Sequence, residues 1–99
     1  MIQGTTPTHI FTVVLDTESI DKLTITYAQN DVVVLKKTKA DCVIEENKFI
    51  VQLTQEDTLK FRENATVQIQ MKVRLESGEV LATDIKYQSL RKVLDKEVL

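Results

Sequence analysis

The sequence predicts an all-β fold, an antiparallel immunoglobulin-like β-sandwich of six to seven strands with one short helical turn. The first observation is the stretch Ala65–Glu76, where apolar and polar residues alternate without interruption. Successive strand side chains point to opposite faces, so this alternation gives one face toward a core and one toward water. The second observation is a series of further short apolar runs separated by turn residues. The third is that no long helical pattern precedes residue 88.

Length and composition indicate one small globular domain. The 99 residues are 42% hydrophobic and 28% charged, with only two glycines and one proline, which argues against disorder. We divide them into a β-sandwich domain with an N-terminal arm, residues 1–87, and an amphipathic tail, residues 88–99. The net charge of −2 provides no global attraction to nucleic acid or to an anionic membrane. The single cysteine excludes an internal disulfide and a multi-cysteine zinc site.

No segment of the sequence predicts secretion or membrane insertion. The N-terminus has neither a basic start nor an apolar core, so we expect no signal peptide. The longest purely aliphatic run, Val32–Leu35, is far too short to span a bilayer. We therefore expect intracellular synthesis.

The first strand follows an extended arm that ends at Pro7. Thr8–Leu15 alternates, and its inner face carries His9, Phe11, Val13 and Leu15. The other face is half apolar, which predicts that part of this strand is covered on both sides. Asp16–Lys22 then forms a turn or a single helical turn, with Asp16 or Thr17 as its cap.

A first hairpin is predicted around Asn30-Asp31, since both residues tolerate a positive φ. Its strands are Leu23–Gln29 and Val32–Lys37, and a two-residue loop pairs Tyr27 with Val34. The inner residues of the first of these strands are Leu23, Ile25 and Tyr27. Because its partner is apolar on both faces through Leu35, we expect that partner to be a central strand.

The middle of the chain predicts two strands and a short helix. Cys42–Glu45 is a brief strand, and Glu46-Asn47 turns the chain into Lys48–Thr54, whose inner residues are Phe49, Val51 and Leu53. Thr54 and Asp57 form a capping box, because the Thr54 hydroxyl can accept from the Asp57 N–H. We expect Leu59 and Phe61 to fix this short helix over one end of the core.

The long hairpin turns at Ser77-Gly78 and contains a conflict of register. A two-residue loop pairs Leu75 with Val80, but the same register carried onward places Asp84 inside. One extra residue would reverse the faces that follow it. We therefore predict a β-bulge near Ala82–Asp84, with Ile85 and Tyr87 turned inward after it.

The tail changes its period from two to that of a helix, so it can form a short C-terminal helix. Its apolar stripe, which we predict to bind a surface, consists of Leu90, Val93, Leu94 and Val98. Two alternatives stay open for that surface. The tail either closes one end of its own sandwich or docks on a neighbouring subunit or partner.

We find no catalytic, cofactor-binding or metal-binding motif, and we predict that the protein is not an enzyme. His9 has no nearby histidine or cysteine, and Cys42 is more typical of a small buried apolar residue than of a reactive thiol. Asp16, Glu18 and Asp21 lack the glycine and the final glutamate of a calcium loop. The basic run Lys36–Lys39 is small, flanked by acids and free of aromatic residues, so it does not predict nucleic-acid binding.

Four stretches of the sequence carry a family resemblance: Gly4–Thr8 with Phe11-Thr12, Leu53–Thr58, Val67–Arg74 and Leu81–Ile85. They resemble small prophage-encoded β-sandwich proteins of Gram-positive bacteria. More loosely, they are similar to the N-terminal domain of siphophage baseplate upper proteins. These stretches correspond to an entry arm, a capped turn and a hairpin, so the resemblance implies a fold and an assembly but no catalytic residue.

The resemblance implies a non-enzymatic phage structural or assembly protein, associated with the tail or baseplate. Its expected partners are other phage structural proteins, with self-association as a further option, and no nucleic acid, membrane, small-molecule substrate or cofactor. The expected location is the host cytoplasm during synthesis, with the virion as a second location. A small phage-encoded inhibitor that binds a host protein is the alternative.

Overall fold

The structure, a computed structural model that describes residues 1–99, contains two antiparallel β-sheets packed face to face. This confirms the all-β sandwich, with eight strands where the sequence predicts six or seven. The strands are β1 (Thr8–Thr12), β2 (Ile20–Gln29), β3 (Val32–Thr38), β4 (Val43–Glu45), β5 (Lys48–Gln52), β6 (Val67–Leu75), β7 (Val80–Ala82) and β8 (Lys86–Gln88). One short α-helix, α1 (Gln55–Leu59), and two 3-10 turns, Thr17–Ser19 and Lys39–Asp41, complete the chain. The structure has no helix that is both long and apolar enough to cross a membrane.

The two sheets differ in size. The smaller sheet has three strands in the order β1-β5-β4, and the larger has five, in the order β3-β2-β6-β7 with β8 also pairing β6. Their facing sides enclose a cluster of 14 buried apolar residues, most of them from β2, β5 and β6. The inner residues predicted for these strands, including Tyr27, Phe49 and Ile69, are buried, which confirms the alternation.

Local turn and capping signals are also confirmed. Asn30 and Asp31 adopt φ of 49° and 63°, as a two-residue hairpin loop requires. Asp16 caps the first 3-10 turn by accepting from the Glu18 N–H at 3.0 Å. At the start of α1, Thr54 Oγ1 accepts from Asp57 N at 3.0 Å, and Asp57 Oδ2 accepts from Thr54 N at 2.9 Å.

The prediction that β3 is a central strand is wrong, because β3 lies at the edge of the larger sheet. Its register also differs from the prediction. Ala28 faces Val33 as expected, but Tyr27 faces Leu35 instead of Val34, since a bulge falls between these pairs. The extra residue turns Leu35 inward, where it is buried, and leaves the apolar start of the strand exposed.

The long hairpin is displaced by one residue from its predicted register. Arg74 faces Val80, because Glu76–Gly78 form a three-residue loop in which Gly78 has a φ of 92°. The predicted bulge is confirmed: the pairing of β6 with β8 is shifted by one residue from its pairing with β7. The two displacements together leave Ile85 and Tyr87 exposed, so the prediction that they turn inward is wrong.

Covering of the first strand on both sides is also not observed, since Ile10 and Val14 are exposed.

The tail forms no helix, so the predicted C-terminal helix is wrong. Residues 89–91 instead run parallel to the first residues of the arm. Gln3 N donates to Arg91 O at 3.0 Å, and Arg91 N donates to Met1 O at 2.9 Å. This pairing uses backbone groups that a helix would need for itself, and it carries Leu90 into the core.

Candidate functional site

Strand β1 leaves one edge of the smaller sheet unpaired. It pairs only with β5, in a regular register from Thr8–Gln52 to Thr12–Lys48. Pro7 O accepts from Leu53 N at 3.0 Å, and Val13 N donates to Asn47 O at 2.8 Å. Because backbone groups alternate in direction along a strand, those of Thr8, Ile10 and Thr12 point away from β5. This edge therefore offers a row of free donors and acceptors.

β1 lacks the features that protect an edge from pairing with another chain. Its five residues contain no Lys, Arg, Asp, Glu or proline, and its ladder with β5 has no bulge. The other edges do carry protection: β3 has a bulge and two lysines, β4 is three residues long and ends in Glu45, and β7 and β8 are short and offset. Bulges, charges and short length are the usual means of blocking strand addition, so β1 is the most open edge.

A groove of about 490 Å³, which we call the β1 groove, lies beside this edge. One wall is β1, from Thr8 to Thr12. The floor and the opposite wall belong to the larger sheet and comprise Ile69, Met71, Thr83, Lys86, Tyr87 and Gln88. A second depression of about 240 Å³, beside Thr12–Leu15, shares Thr12, Met71 and Thr83 with the groove. Together the two depressions follow the whole length of the first predicted strand, Thr8–Leu15.

Lys86 is the only charged side chain that lines the β1 groove. It faces Ile69 across the β6–β8 ladder, so its side chain leaves the sheet on the core-facing side. It is exposed and forms no salt bridge. The groove therefore presents an unpaired cation beside an apolar floor.

His9 and Tyr27 form a polar contact at the base of the groove. His9 Nδ1 and Tyr27 Oη lie 2.8 Å apart and share a hydrogen bond, while His9 Nε2 is buried without a partner. Burial lowers the pKa of His9, although the Gln88 side chain partly offsets this effect. Burial also raises the pKa of Tyr27. Both groups are therefore neutral at pH 7.

An exposed apolar row crosses the outer face of the smaller sheet. Ile10 faces Ile50 across β1 and β5, and Ile50 faces Val43 across β5 and β4. Directly opposed residues point to the same side, so the three side chains form one continuous line, which we call the outer apolar row. Ile10 and Val43 are each 59% exposed. Polar pairs such as Thr12–Lys48 and Glu45–Lys48 flank the row.

The structure does not bring the four predicted partner-binding residues of the tail onto one stripe. Leu90 is buried in the protein's own core, and Val93 is half-buried beside Gly4. Leu94 is 94% exposed and Val98 is also exposed. The chain end is fixed to α1, since Leu99 N donates to Gln55 Oε1 at 2.7 Å.

Other residues considered from the sequence have structural roles. Lys37 Nζ lies 2.9 Å from Asp57 Oδ2, and Lys39 Nζ donates to Ile20 O at 2.8 Å, so the basic run is divided among different contacts. Burial, with the Asp41 carboxylate beside it, raises the pKa of the Cys42 thiol, which lowers its reactivity. No group of three or more histidine, cysteine or carboxylate side chains is placed to hold a metal ion.

Comparisons with known proteins identify no relative. No family model, curated protein or solved structure matches this chain. The observations that bear on function are the β1 groove, the outer apolar row and the motif resemblance.

Sequence reasoning missed both the β1 groove and the outer apolar row. One signal was present: residues 1–15 contain no Asp, Glu, Lys or Arg, which is unusual for an exposed edge. The outer apolar row gave no local signal, because its three members come from three different strands. Their alignment depends on the pairing registers, which cannot be read from the sequence.

Proposed function

We propose that this protein is a non-enzymatic structural or assembly protein of a phage particle, which acts through contacts with other proteins of that particle. The observation that carries the proposal is the outer apolar row, Ile10, Ile50 and Val43. A contiguous apolar patch with a polar rim is typical of a protein-binding surface. The motif resemblance to small prophage proteins supports placing that partner in a phage particle.

The flat shape of the row favours one kind of partner. Its side chains lie on one face of a regular sheet, so we expect a second flat surface with apolar side chains at its centre. Lys48 and Glu45 at the rim would then form polar contacts that set orientation and contribute little to affinity.

The proposal is tested by adding one charge to the row. Val43→Lys places an ammonium group at one end of the outer apolar row, inside the expected contact, and we expect at least about a tenfold loss of the protein that co-sediments with purified particles. Val80→Lys is the matched control, since it makes the same change at an exposed residue of another short strand, β7, outside the row. Circular dichroism and thermal melting verify that both variants fold.

Equal retention of Val43→Lys and wild type on particles would contradict a role for the row. Absence of the wild-type protein from particles would contradict the structural function. If it then bound one purified host protein, and Val43→Lys weakened that binding, the result would favour the inhibitor alternative.

A further inference from the structure

We infer that the β1 groove is a strand-addition site, which takes an extended segment of a partner protein whose acidic side chain faces Lys86. This inference rests on the proposed function, because it assigns a second contact to a partner in the same assembly. It names a mode of binding and a chemistry that the outer apolar row does not provide.

The backbone of β1 is arranged to accept a further strand. The outward groups of Thr8, Ile10 and Thr12 alternate with residues bonded to β5, so an added strand can form a regular ladder. No proline interrupts the five residues, and no charged side chain lies on them. Extended peptides bind other β-proteins through such edges, where main-chain hydrogen bonds give affinity and side-chain pockets give specificity.

The mismatch between the two sheets leaves space for that strand. The smaller sheet has three strands and the larger has five, and the groove occupies the side where β1 ends the smaller sheet. Leu81 faces Val73 on the core-facing side of the larger sheet, yet it remains 39% exposed. A strand added to β1 would extend the smaller sheet over this uncovered part of the larger one, so its inward side chains should be mainly apolar.

Charge decides between a partner segment and a second copy of β1. Lys86 has no salt bridge and no carboxylate among the lining residues of the groove. Thr8–Thr12 of a second copy would bring no acidic side chain to it. A segment with one inward glutamate or aspartate would supply the missing charge, which favours a different protein segment as the occupant.

The test uses two labelled synthetic peptides of about eight residues, the length of an ordinary strand. Both alternate valine and threonine, and they differ only in one central valine, replaced by glutamate in one and by lysine in the other. Binding to the intact protein is measured by fluorescence anisotropy. Three variants are compared with wild type: Lys86→Glu, Ile10→Pro, and the control Lys72→Glu, which changes a charge on the outer face of the larger sheet.

We expect the wild-type protein to prefer the glutamate peptide by about two- to fivefold, the range for an exposed ion pair. Lys86→Glu should reverse this preference. Ile10→Pro removes an outward N–H while leaving the ladder with β5 intact, so it should weaken both peptides by about two- to tenfold. Lys72→Glu should bind as the wild type does, because Lys72 does not line the groove.

Three results would overturn the inference. The first is no binding of either peptide near about millimolar concentration, the limit of a useful affinity. The second is binding that neither Lys86→Glu nor Ile10→Pro alters in folded protein. The third is self-association of the wild-type protein in sedimentation that Ile10→Pro abolishes and Val43→Lys does not, since a second copy would then occupy the β1 edge.

Particle co-sedimentation separates this inference from the proposed function. If Val43→Lys loses attachment while Lys86→Glu keeps it, the structural function stands and the strand-addition site is refuted. If the wild-type protein is absent from particles but its peptide binding follows the expected pattern, the phage function is refuted and the strand-addition site stands.

Discussion

His9 and Tyr27 connect the two sheets through a single side-chain hydrogen bond of 2.8 Å. The bond lies at the edge of the core, where His9 comes from β1 and Tyr27 from β2. Burial removes water from the imidazole and leaves Nε2 without a partner, so the charged form is disfavoured. A single residue thus makes stability dependent on pH near neutrality.

We expect the free energy of unfolding to fall as the pH is lowered from 7 through the region below 6.5. The folded pKa of His9 is lowered, so the unfolded chain binds more protons in this range and acid favours unfolding. The contribution is complete above the unfolded value and is lost as the pH falls through the folded one. Urea denaturation of wild type and His9→Gln at several pH values measures this contribution. The same dependence of the free energy of unfolding on pH in both proteins would contradict the assignment to His9.

The ion pair between Lys37 and Asp57 also makes the free energy of unfolding depend on pH, but in a different pH range. Burial alone would raise the pKa of Asp57, but hydrogen bonds from Lys37 and Thr54 outweigh it and hold the pKa low. This contribution is present above the unfolded value of 3.8 and is lost as the pH falls through the lower folded value. It therefore does not overlap the His9 range.

Replacing Asp57 with Asn should destabilise the protein by about 3 kcal/mol, because it leaves the Lys37 charge largely buried without its partner. Thermal and chemical denaturation at pH 7 measure the change. Asp21→Asn is the control, because Asp21 Oδ2 lies 2.6 Å from Arg74 Nη2 in a similar but exposed pair. This substitution should change stability little. Equal losses of stability in the two variants would contradict the expectation that breaking the buried pair costs more than breaking the exposed one.

At the scale of elements, the bulge between β7 and β8 is stabilised by side chains of the larger sheet. Gln70 Nε2 donates to Thr83 O at 2.9 Å, and Met71 N donates to Thr83 Oγ1 at 3.1 Å. These contacts replace ladder bonds where the register shifts. The polar face of β6 is therefore not only solvent-exposed, because Gln70 also holds the backbone of the bulge.

Gln70→Ala should cost about 1 kcal/mol, since it leaves the Thr83 carbonyl without this donor. Lys72→Ala, on the same face and exposed, should stay within about 0.5 kcal/mol of wild type. Chemical denaturation of the two variants at one temperature compares them. Equal, small effects would indicate that the bulge is held by the backbone alone.

At the scale of the whole molecule, the arm and the tail close one end of the sandwich. Residues 1–3 pair with residues 89–91, Leu90 joins the core, and Lys96 Nζ lies 3.9 Å from Glu63 Oε2. Along β1, by contrast, no other strand covers the free edge of the smaller sheet. The protein therefore has one closed end and one open side, and the open side contains the β1 groove.

Truncation after Gln88 should lower the melting temperature and expose apolar surface, because burial of Leu90 contributes about 1.5–3 kcal/mol. Leu90→Ala should reproduce most of the loss. Leu94→Ala, at an exposed position of the same tail, should have almost no effect. Binding of a dye specific for apolar surfaces gives the second readout. If truncation left both melting and dye binding unchanged, the tail would not be a lid.

Features that depend on a few neighbouring residues are predictable from the sequence. Alternation assigned the buried face of β6, the side-chain chemistry of Thr54 and Asp57 specified the start of α1, and Asn30-Asp31 specified a tight turn. Even the bulge before β8 followed from a local conflict between Asp84 and the core. None of these local features predicts which strands pair with one another.

The strand order, the registers and the path of the tail depend on contacts between distant parts of the chain, so the sequence did not predict them. The apolar content of Val32–Leu35 predicts a central strand, yet β3 lies at an edge, because edge position depends on which distant strand pairs beyond it. The helical period of the tail is overridden by backbone pairing with residues far away in the chain. The outer apolar row and the β1 groove arise from the same long-range pairing. Their residues lie tens of positions apart, so local preferences carry no information about their meeting.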